Sequence, residues 1–134
     1  YSKSAMSTMD MDKGTLLHHE DKIFLDTLSR MIEERLEQDT ISIDLICKEL
    51  NINKVTLCRK IKKLSGQTLS NYIKSIKLRK ATYLLKSTRM SVKEIMYSCG
   101  YNHKSLFYKH FEQTYGTTPK EWRESLFRQR QEAV

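Results

Sequence analysis

Apolar residues recur at helical spacing along most of this chain, and the runs stop at short polar breaks. From Asp21 to Gln38, Phe24, Leu28, Met31, Ile32 and Leu36 share one stripe, while Asp26, Arg30, Glu33, Glu34 and Glu37 fall mostly off it. An acidic amphipathic helix is predicted there. Ser42 is placed as N-cap of a short helix over 43–50, and Asn51 stands where that helix ends, in a position suited to the left-handed conformation. Asn53 caps the next helix, 54–64, whose buried stripe is Leu57, Ile61 and Leu64. Ser91 opens another short helix that stops at Gly100, with Asn102 expected to cap the helix 103–115, where Phe107, Phe111 and Tyr115 point inward. Gly116-Thr117-Thr118-Pro119 ends that helix and starts the last one, over 119–130, with Thr118 as cap and Pro119 in the first turn. Trp122 and Leu126 are expected to seal the core beneath it, and the tail from Arg128 to Val134 to fray.

The pattern repeats. Ser42, Ile43, Ile46 and Asn53 match Ser91, Val92, Ile95 and Asn102 at an offset of 49. Leu57, Arg59, Ile61, Gly66, Thr68 and Tyr72 match Phe107, Lys109, Phe111, Gly116, Thr118 and Trp122 at an offset of 50. Each copy is a short helix, a three-residue turn and a second helix. Between the copies lies the longest predicted helix, 68–87, capped by Thr68. Leu69, Tyr72, Ile73 and Ile76 cluster on one face of it, and Leu78, Ala81, Leu84 and Leu85 on another. At roughly 100° per residue the two clusters are rotated by about a third of a turn. A helix burying different faces at its two ends suits a rigid connector between two small cores. Lys74, Lys77, Arg79, Lys80 and Lys86 line its remaining surface. The fold class is therefore all-α: about seven helices, with helix-turn-helix subdomains over 42–64 and 91–115 joined by the connector.

Charge adds a partner to this picture. The chain carries +8 overall, but residues 1–40 balance at −4 and residues 41–134 at +12. A polyanion is expected against the C-terminal part, while the acidic helix is expected to pack on the first helix-turn-helix or face a partner. Charge alone does not separate DNA from RNA or a membrane surface. Residues 1–20 show no sustained period and read as a linker or remnant of an upstream segment; the pair His18-His19 in it is read as linker, not as a metal site. The first residue is not Met, which points to a piece of a longer protein. No apolar run is long enough to span a bilayer. Cys47, Cys58 and Cys99 form no CxxC and are odd in number, which argues against a disulfide framework or zinc site and for a reduced, cytoplasmic setting.

The outward faces of the second helix of each unit are the candidate chemistry. Val55, Cys58, Arg59 and Lys62 stand on one; Lys104, Ser105, Tyr108, Lys109 and Glu112 stand on the other. Arg59 suits a bidentate contact to guanine O6 and N7, and Val55 a thymine methyl. Lys104 and Lys109 suit guanine or phosphate. Backbone N–H groups near Ser91 and Thr118 are expected to hold phosphates. A lone basic helix face is usually only solvated surface; two, each after a capped turn in a repeated frame, reverse that balance. Cys58 reads as a small residue at a tolerant position, Cys47 as packing where two helices cross, and Tyr97 and Tyr101 as core or hinge packing. No phosphate loop, nucleophile elbow or HExxH is present, and carboxylates such as Asp44 and Glu49 stand at ordinary helical surface spacing. No catalytic residue, metal or cofactor is expected.

These residues resemble a known family. Ser91-Val92-x-x-Ile95, Gly100-Tyr101, Ser105-x-Phe107, Phe111, Gly116-x-Thr118-Pro119 and Arg123 are similar to the DNA-binding domain of the AraC family of transcription regulators. So are Tyr72-Ile73, Leu78-Arg79-x-x-Ala81 and Leu84-Leu85, and, in the first unit, Asn53, Leu57, Arg59, Lys62, Leu64 and Gly66. The form Cys58 to Gly66, with an extra N-terminal helix, resembles versions fused to receiver domains in response regulators and in hybrid two-component sensors of Bacteroidetes. The resemblance implies that Val55, Cys58 and Arg59 read bases in the first unit, and His103, Lys104, Ser105, Tyr108 and Lys109 in the second. Lys54, Lys62, Ser91, Thr118 and Glu112 are the expected backbone or accessory positions. Met96 stands where the family usually has a small alanine, and Glu112 where it usually has lysine.

The implied partners are double-stranded promoter DNA, RNA polymerase, and an upstream receiver or sensor domain, with a homodimer possible and no membrane contact by this segment. The competing readings are a non-specific architectural or RNA-binding helical module, and a DNA-repair enzyme using the module for targeting. The missing nucleophile argues against the repair enzyme.

Overall fold

The structure, a computed structural model, describes residues 19–37 and 41–133. Most of the expected linker, including His18, lies outside them. Among the described residues there are seven helices and no strand: α1 (His19–Glu33), α2 (Ile43–Leu50), α3 (Lys54–Ser65), α4 (Leu69–Ser87), α5 (Val92–Ser98), α6 (Lys104–Tyr115) and α7 (Pro119–Ala133). The all-α class expected from the sequence is the one observed. No helix among the described residues is long and apolar enough to cross a membrane.

The chain forms two compact units. Of the described residues, one holds those from His19 to Glu34 and Ser42–Ile73; the other holds those from Arg35 to Glu37, Ile41, and Lys74 to Ala133. The division falls inside α4, so that one continuous helix contributes to both.

In the first unit the buried side chains are aliphatic: Leu28 and Ile32 from α1, Ile46 from α2, Leu57 and Ile61 from α3. Cys47 is buried with them, and burial pushes its thiol pKa up. The acidic α1 is held to this unit by polar contacts as well. The Tyr72 hydroxyl donates to the Leu25 carbonyl at 3.5 Å, and the Lys60 ammonium lies 4.4 Å from the Phe24 ring centroid.

In the second unit Leu78, Ala81 and Leu85 of α4 pack with Ile95, Met96, Cys99, Tyr101, Phe107 and Phe111. Met96, the large residue at the helix crossing, is accommodated as a buried core side chain. Trp122 and Tyr115 close the cluster, with the Phe111 ring 6.2 Å from Trp122 and 4.7 Å from Tyr115. The seal expected of Trp122 is present. Burial pushes the Cys99 thiol up to about 12, so it is inert packing.

Four local expectations need correction. The acidic helix starts at His19, inside the expected linker, and ends at Glu33, short of Gln38. The segment after it turns away because Leu36 is buried in the second unit, with its carbonyl against the turn at Gly100. A Cβ on residue 100 would overlap the Leu36 carbonyl oxygen, and φ there is +88°, so the position takes glycine on two counts. At the other end α7 runs to Ala133, beyond the expected stop near 130, since nothing after Pro119 is a helix breaker. The basic side chains of α4 are not all free surface. Lys80 donates to the Ser98 carbonyl at 3.0 Å and Lys77 to the Gly100 carbonyl at 3.5 Å, so both neutralise the C-terminal end of α5. Burial lowers the Lys77 pKa.

Candidate nucleic-acid interface

Local capping fixes where α3 and α6 begin. In the first unit Ser42 Oγ accepts from the Leu45 N–H at 3.3 Å. Asn51 then adopts φ 58°, ψ 42°, which reverses the chain in one residue. Asn53 Oδ1 accepts from the Thr56 N–H at 2.8 Å and starts α3. Loss of such a cap typically costs about 1 kcal/mol, so each polar residue of the turn has a measurable task.

The second unit departs here. Asn102 was the expected cap of α6, but the N-cap is His103, and it makes no side-chain capping bond. The repeat offset changes from 49 to 50 at this point, which places the inserted residue within the turn. Asn53 therefore corresponds in role to His103. The longer turn is held from beneath instead. Tyr101 is buried, its hydroxyl 2.8 Å from His110 Nδ1 and its ring 5.1 Å from that of Phe107. Burial, then Lys74, Lys109 and Lys77, lower the His110 pKa, which keeps this pair neutral.

The outward face of α3 presents Lys54, Val55 and Arg59 to solvent, Val55 at 65 % exposure. Thr56, which the sequence reading omitted, is exposed on the same first turn. Cys58 is only half-buried surface, next to the buried Cys47, and offers the least reach of the set. Lys62 is exposed, but its ammonium caps α3 by donating to the Gly66 carbonyl at 3.2 Å. On α6, His103, Lys104, Ser105, Lys109 and Glu112 are exposed. Tyr108 is partly buried against the core, and the Lys104 ammonium lies 5.2 Å from its ring centroid.

At the two helix starts proposed for phosphates, the N–H of the cap residue is already bonded. Glu94 accepts from the Ser91 N–H at 2.9 Å while Ser91 Oγ accepts from the Glu94 N–H, a complete capping box. Glu121 accepts from both the N–H and the hydroxyl of Thr118, at 3.2 Å and 3.0 Å. Those bonds hold both carboxylate pKa values below the usual range. A phosphate reaching the N–H of Ser91 or Thr118 itself would meet the carboxylate already bonded there. The S-x-x-E and T-x-x-E spacing was legible in the sequence and would have shown it.

Two other positions take roles that the sequence reading did not give them. Tyr97, read as packing, is 48 % exposed and lines a groove together with Lys104 and Tyr108. Arg123, half-buried on α7, donates to the carbonyls of Leu85 at 3.0 Å, Met90 at 2.7 Å and Thr88 at 3.4 Å. It clamps the link between α4 and α5, and so sets where the second helix-turn-helix begins.

Comparison with known proteins agrees with this architecture. A family described as "Helix-turn-helix domain" matches residues 46–125. The xylose operon regulatory protein of Escherichia coli K12 is 38% identical over 84 residues, 63% of this chain and 21% of that protein. Histidine kinase P4 of Formosa agariphila is 24% identical over 102 residues, covering 76% of this chain and 7% of the kinase. Among solved structures, the C-terminal domain of AraT, a response regulator from Geobacillus stearothermophilus, superimposes with a TM-score of 0.66 at 26% identity, covering 75% of this chain and 84% of that domain. The chain thus spans about a fifth of the first relative's length and far less of the kinase's. Nearly all the residues that carry the AraC resemblance fall inside the matched stretch, and the two capped helix-turn-helix units are the fold they imply. The chain belongs to the AraC-type helix-turn-helix family of DNA-binding transcription regulators.

Proposed function

We propose that this chain is the DNA-reading output segment of a two-component regulator, with α3 and α6 each entering a major groove of one operator. The observation that carries the reading is the pair of outward helix faces, each following a turn, with Val55 and Arg59 exposed on one and His103, Lys104, Ser105 and Lys109 on the other. Arg59 is the guanine reader, through paired bonds to O6 and N7, and Val55 meets a thymine methyl. Lys104 and Lys109 reach guanine or phosphate, Tyr108 supports Lys104, and Lys54 contacts the backbone. The basic balance of residues 41–134 supplies the sequence-independent share of affinity.

The link to two-component signalling rests on likeness to a response-regulator domain and to a histidine kinase. In that setting a receiver or sensor domain upstream of α1 controls exposure or dimerisation of this segment. The bound segment then recruits RNA polymerase in the cytoplasm, including the case of a cytoplasmic part of a membrane-anchored sensor. Selection of bound duplexes from a random pool tests the reading. An asymmetric site with two conserved blocks is expected, because the two reading faces differ. Enrichment of no sequence would overturn it.

A further inference from the structure

The turn into α6 carries a titratable pair that the first unit lacks. Tyr101 sits in this turn, 4 % exposed, and its hydroxyl lies 2.8 Å from Nδ1 of His110 near the middle of α6. The two rings meet edge to face, 5.6 Å between centroids. At the offsets of the repeat, Ile52 and Lys60 stand at these places in the first unit, where Asn53 caps the helix instead. Three ammonium groups lie close enough to act on His110: Lys74 and Lys77 from α4, and its neighbour Lys109. Lys77 is placed by its bond to the Gly100 carbonyl, with its ammonium 5.1 Å from the Tyr101 ring centroid. No carboxylate is among the groups acting on His110. The Tyr101 phenol and the nearby Cys99 thiol stay protonated near neutrality, because burial raises both. His110 is partly exposed, so a proton from solvent reaches it.

From this cluster we infer that Tyr101 and His110 are the positioning pair of the second reading helix, and that a single proton on His110 releases that reader while the first stays engaged. The inference rests on the reading of α3 and α6 as major-groove helices. With the ring neutral, the phenol donates to Nδ1 and its buried O–H is satisfied. Protonation puts a hydrogen on Nδ1, so the phenol loses this acceptor. It also adds a fourth positive charge beside Lys74, Lys77 and Lys109. α6 starts without a side-chain cap, so this bond is the polar tie between the turn and the helix. Burial and the three cations hold the ring below its ordinary value of 6.5. The tie is therefore intact above that pH and is lost as pH falls past it, through the lowered value. Asn53 does not titrate, so the first unit keeps its cap throughout.

The test compares wild type, His110→Asn and Tyr101→Phe on a selected duplex, from about pH 7.5 down to about pH 5, with the His110 ring titrated by NMR and thermal melts as a check on folding. Asn keeps an acceptor at the place of Nδ1 and takes no proton. Relative to this variant, wild-type affinity should fall about twofold at the measured ring pKa and about tenfold one unit lower. At saturating wild-type chain in acid, footprinting should show the segment read by α6 fading and that read by α3 kept. Tyr101→Phe should show the same segment weakened already at about pH 7.5. A polyanion draws protons to the whole interface, including His103, and the comparison with His110→Asn removes that shared part. One pH profile for wild type and His110→Asn would overturn the inference and leave the reading in place, as would a wild type that tightens in acid relative to the variant, or both segments fading together. Should His110→Asn melt early, wild type alone decides: an affinity loss that does not track the ring titration overturns the inference. A wild-type chain with no preference between selected and random duplexes at about pH 7.5 would overturn the reading, and the inference with it.

Discussion

The two helix-turn-helix units are copies in sequence but are built on different terms. The first is fixed by caps: Ser42, Asn51 and Asn53 satisfy the helix ends around an aliphatic interior. The second has a longer turn and an N-cap without a capping bond, and is fixed from below by Tyr101, His110 and a chain of aromatic rings reaching Trp122. Their second helices differ as well. α3 carries Lys54, Arg59, Lys60, Lys62 and Lys63 with no acid, whereas α6 sets Lys104 and Lys109 against Glu112. Lys60 and Lys62 are engaged within the unit, which leaves Lys54, Arg59 and Lys63 as the outward charge of α3. The contrast teaches that a duplicated motif divides its work. The first unit brings charge and one planar guanidinium; the second brings aromatic and hydroxyl groups on a buried aromatic base.

The strongest way to break the comparison is to uncouple the units. Ala81 is fully buried in the second core within α4. Ala81→Pro should cost roughly 3 kcal/mol or more and abolish tight binding to a full site. Survival of full-site affinity, measured by titration, would mean that the units dock independently and the connector need not be rigid.

Next in size is the clamp. Arg123→Ala removes three bonds from a charged donor to carbonyls of the α4–α5 link. A loss of about 2–3 kcal/mol is expected, felt in the second unit. Hydrogen exchange should show α5 and α6 losing protection while α2 and α3 keep theirs. Uniform loss across both units would contradict the division drawn here.

Arg59 and Lys109 occupy the same repeat position, which makes them a matched pair. Arg59→Ala should cost about 1–3 kcal/mol on the selected site and much less on random DNA. Lys109→Ala should weaken both duplexes nearly equally, since an ammonium is a point charge without the fork that reads guanine. Reversal of the two results would exchange the roles of the units.

The smallest effect belongs to Glu112. Glu112→Lys should tighten binding to all duplexes and steepen the salt dependence by about one counterion. If instead the selected site alone weakens by about 1–3 kcal/mol, the carboxylate accepts from cytosine N4, and α6 reads bases to its far end.

Much of the fold was legible because its signals are local. Ser42, Asn53, Thr68, Ser91 and Thr118 cap where the sequence placed them, since a cap depends on residues three apart. The misplaced cap at Asn102 has a plain cause: an inserted residue shifts the frame within a turn, and two polar residues in succession do not say which one adopts the extended conformation. Leu36 fits the stripe of α1 by periodicity, and only its burial in the other unit takes it off that helix. Lys77 and Lys80 look like solvated charges until the carbonyls of Ser98 and Gly100 are brought to them. Tyr97 failed for the opposite reason: an aromatic residue in a short helix is usually core, but here Ile95, Met96 and Cys99 fill the core and leave it outside. For the interface, the outward faces of α3 and α6 followed from their apolar stripes, and the bonded N–H groups of Ser91 and Thr118 were legible in the S-x-x-E and T-x-x-E spacing, whereas the exposed groove beside Tyr97 required coordinates.

The central claim is that one chain holds two readers. Hydroxyl-radical footprinting of the chain on its selected duplex tests it most directly. Two protected segments per bound chain, about one helical turn or roughly 10 base pairs apart and unequal in pattern, are expected. A single protected segment per bound chain would contradict the claim.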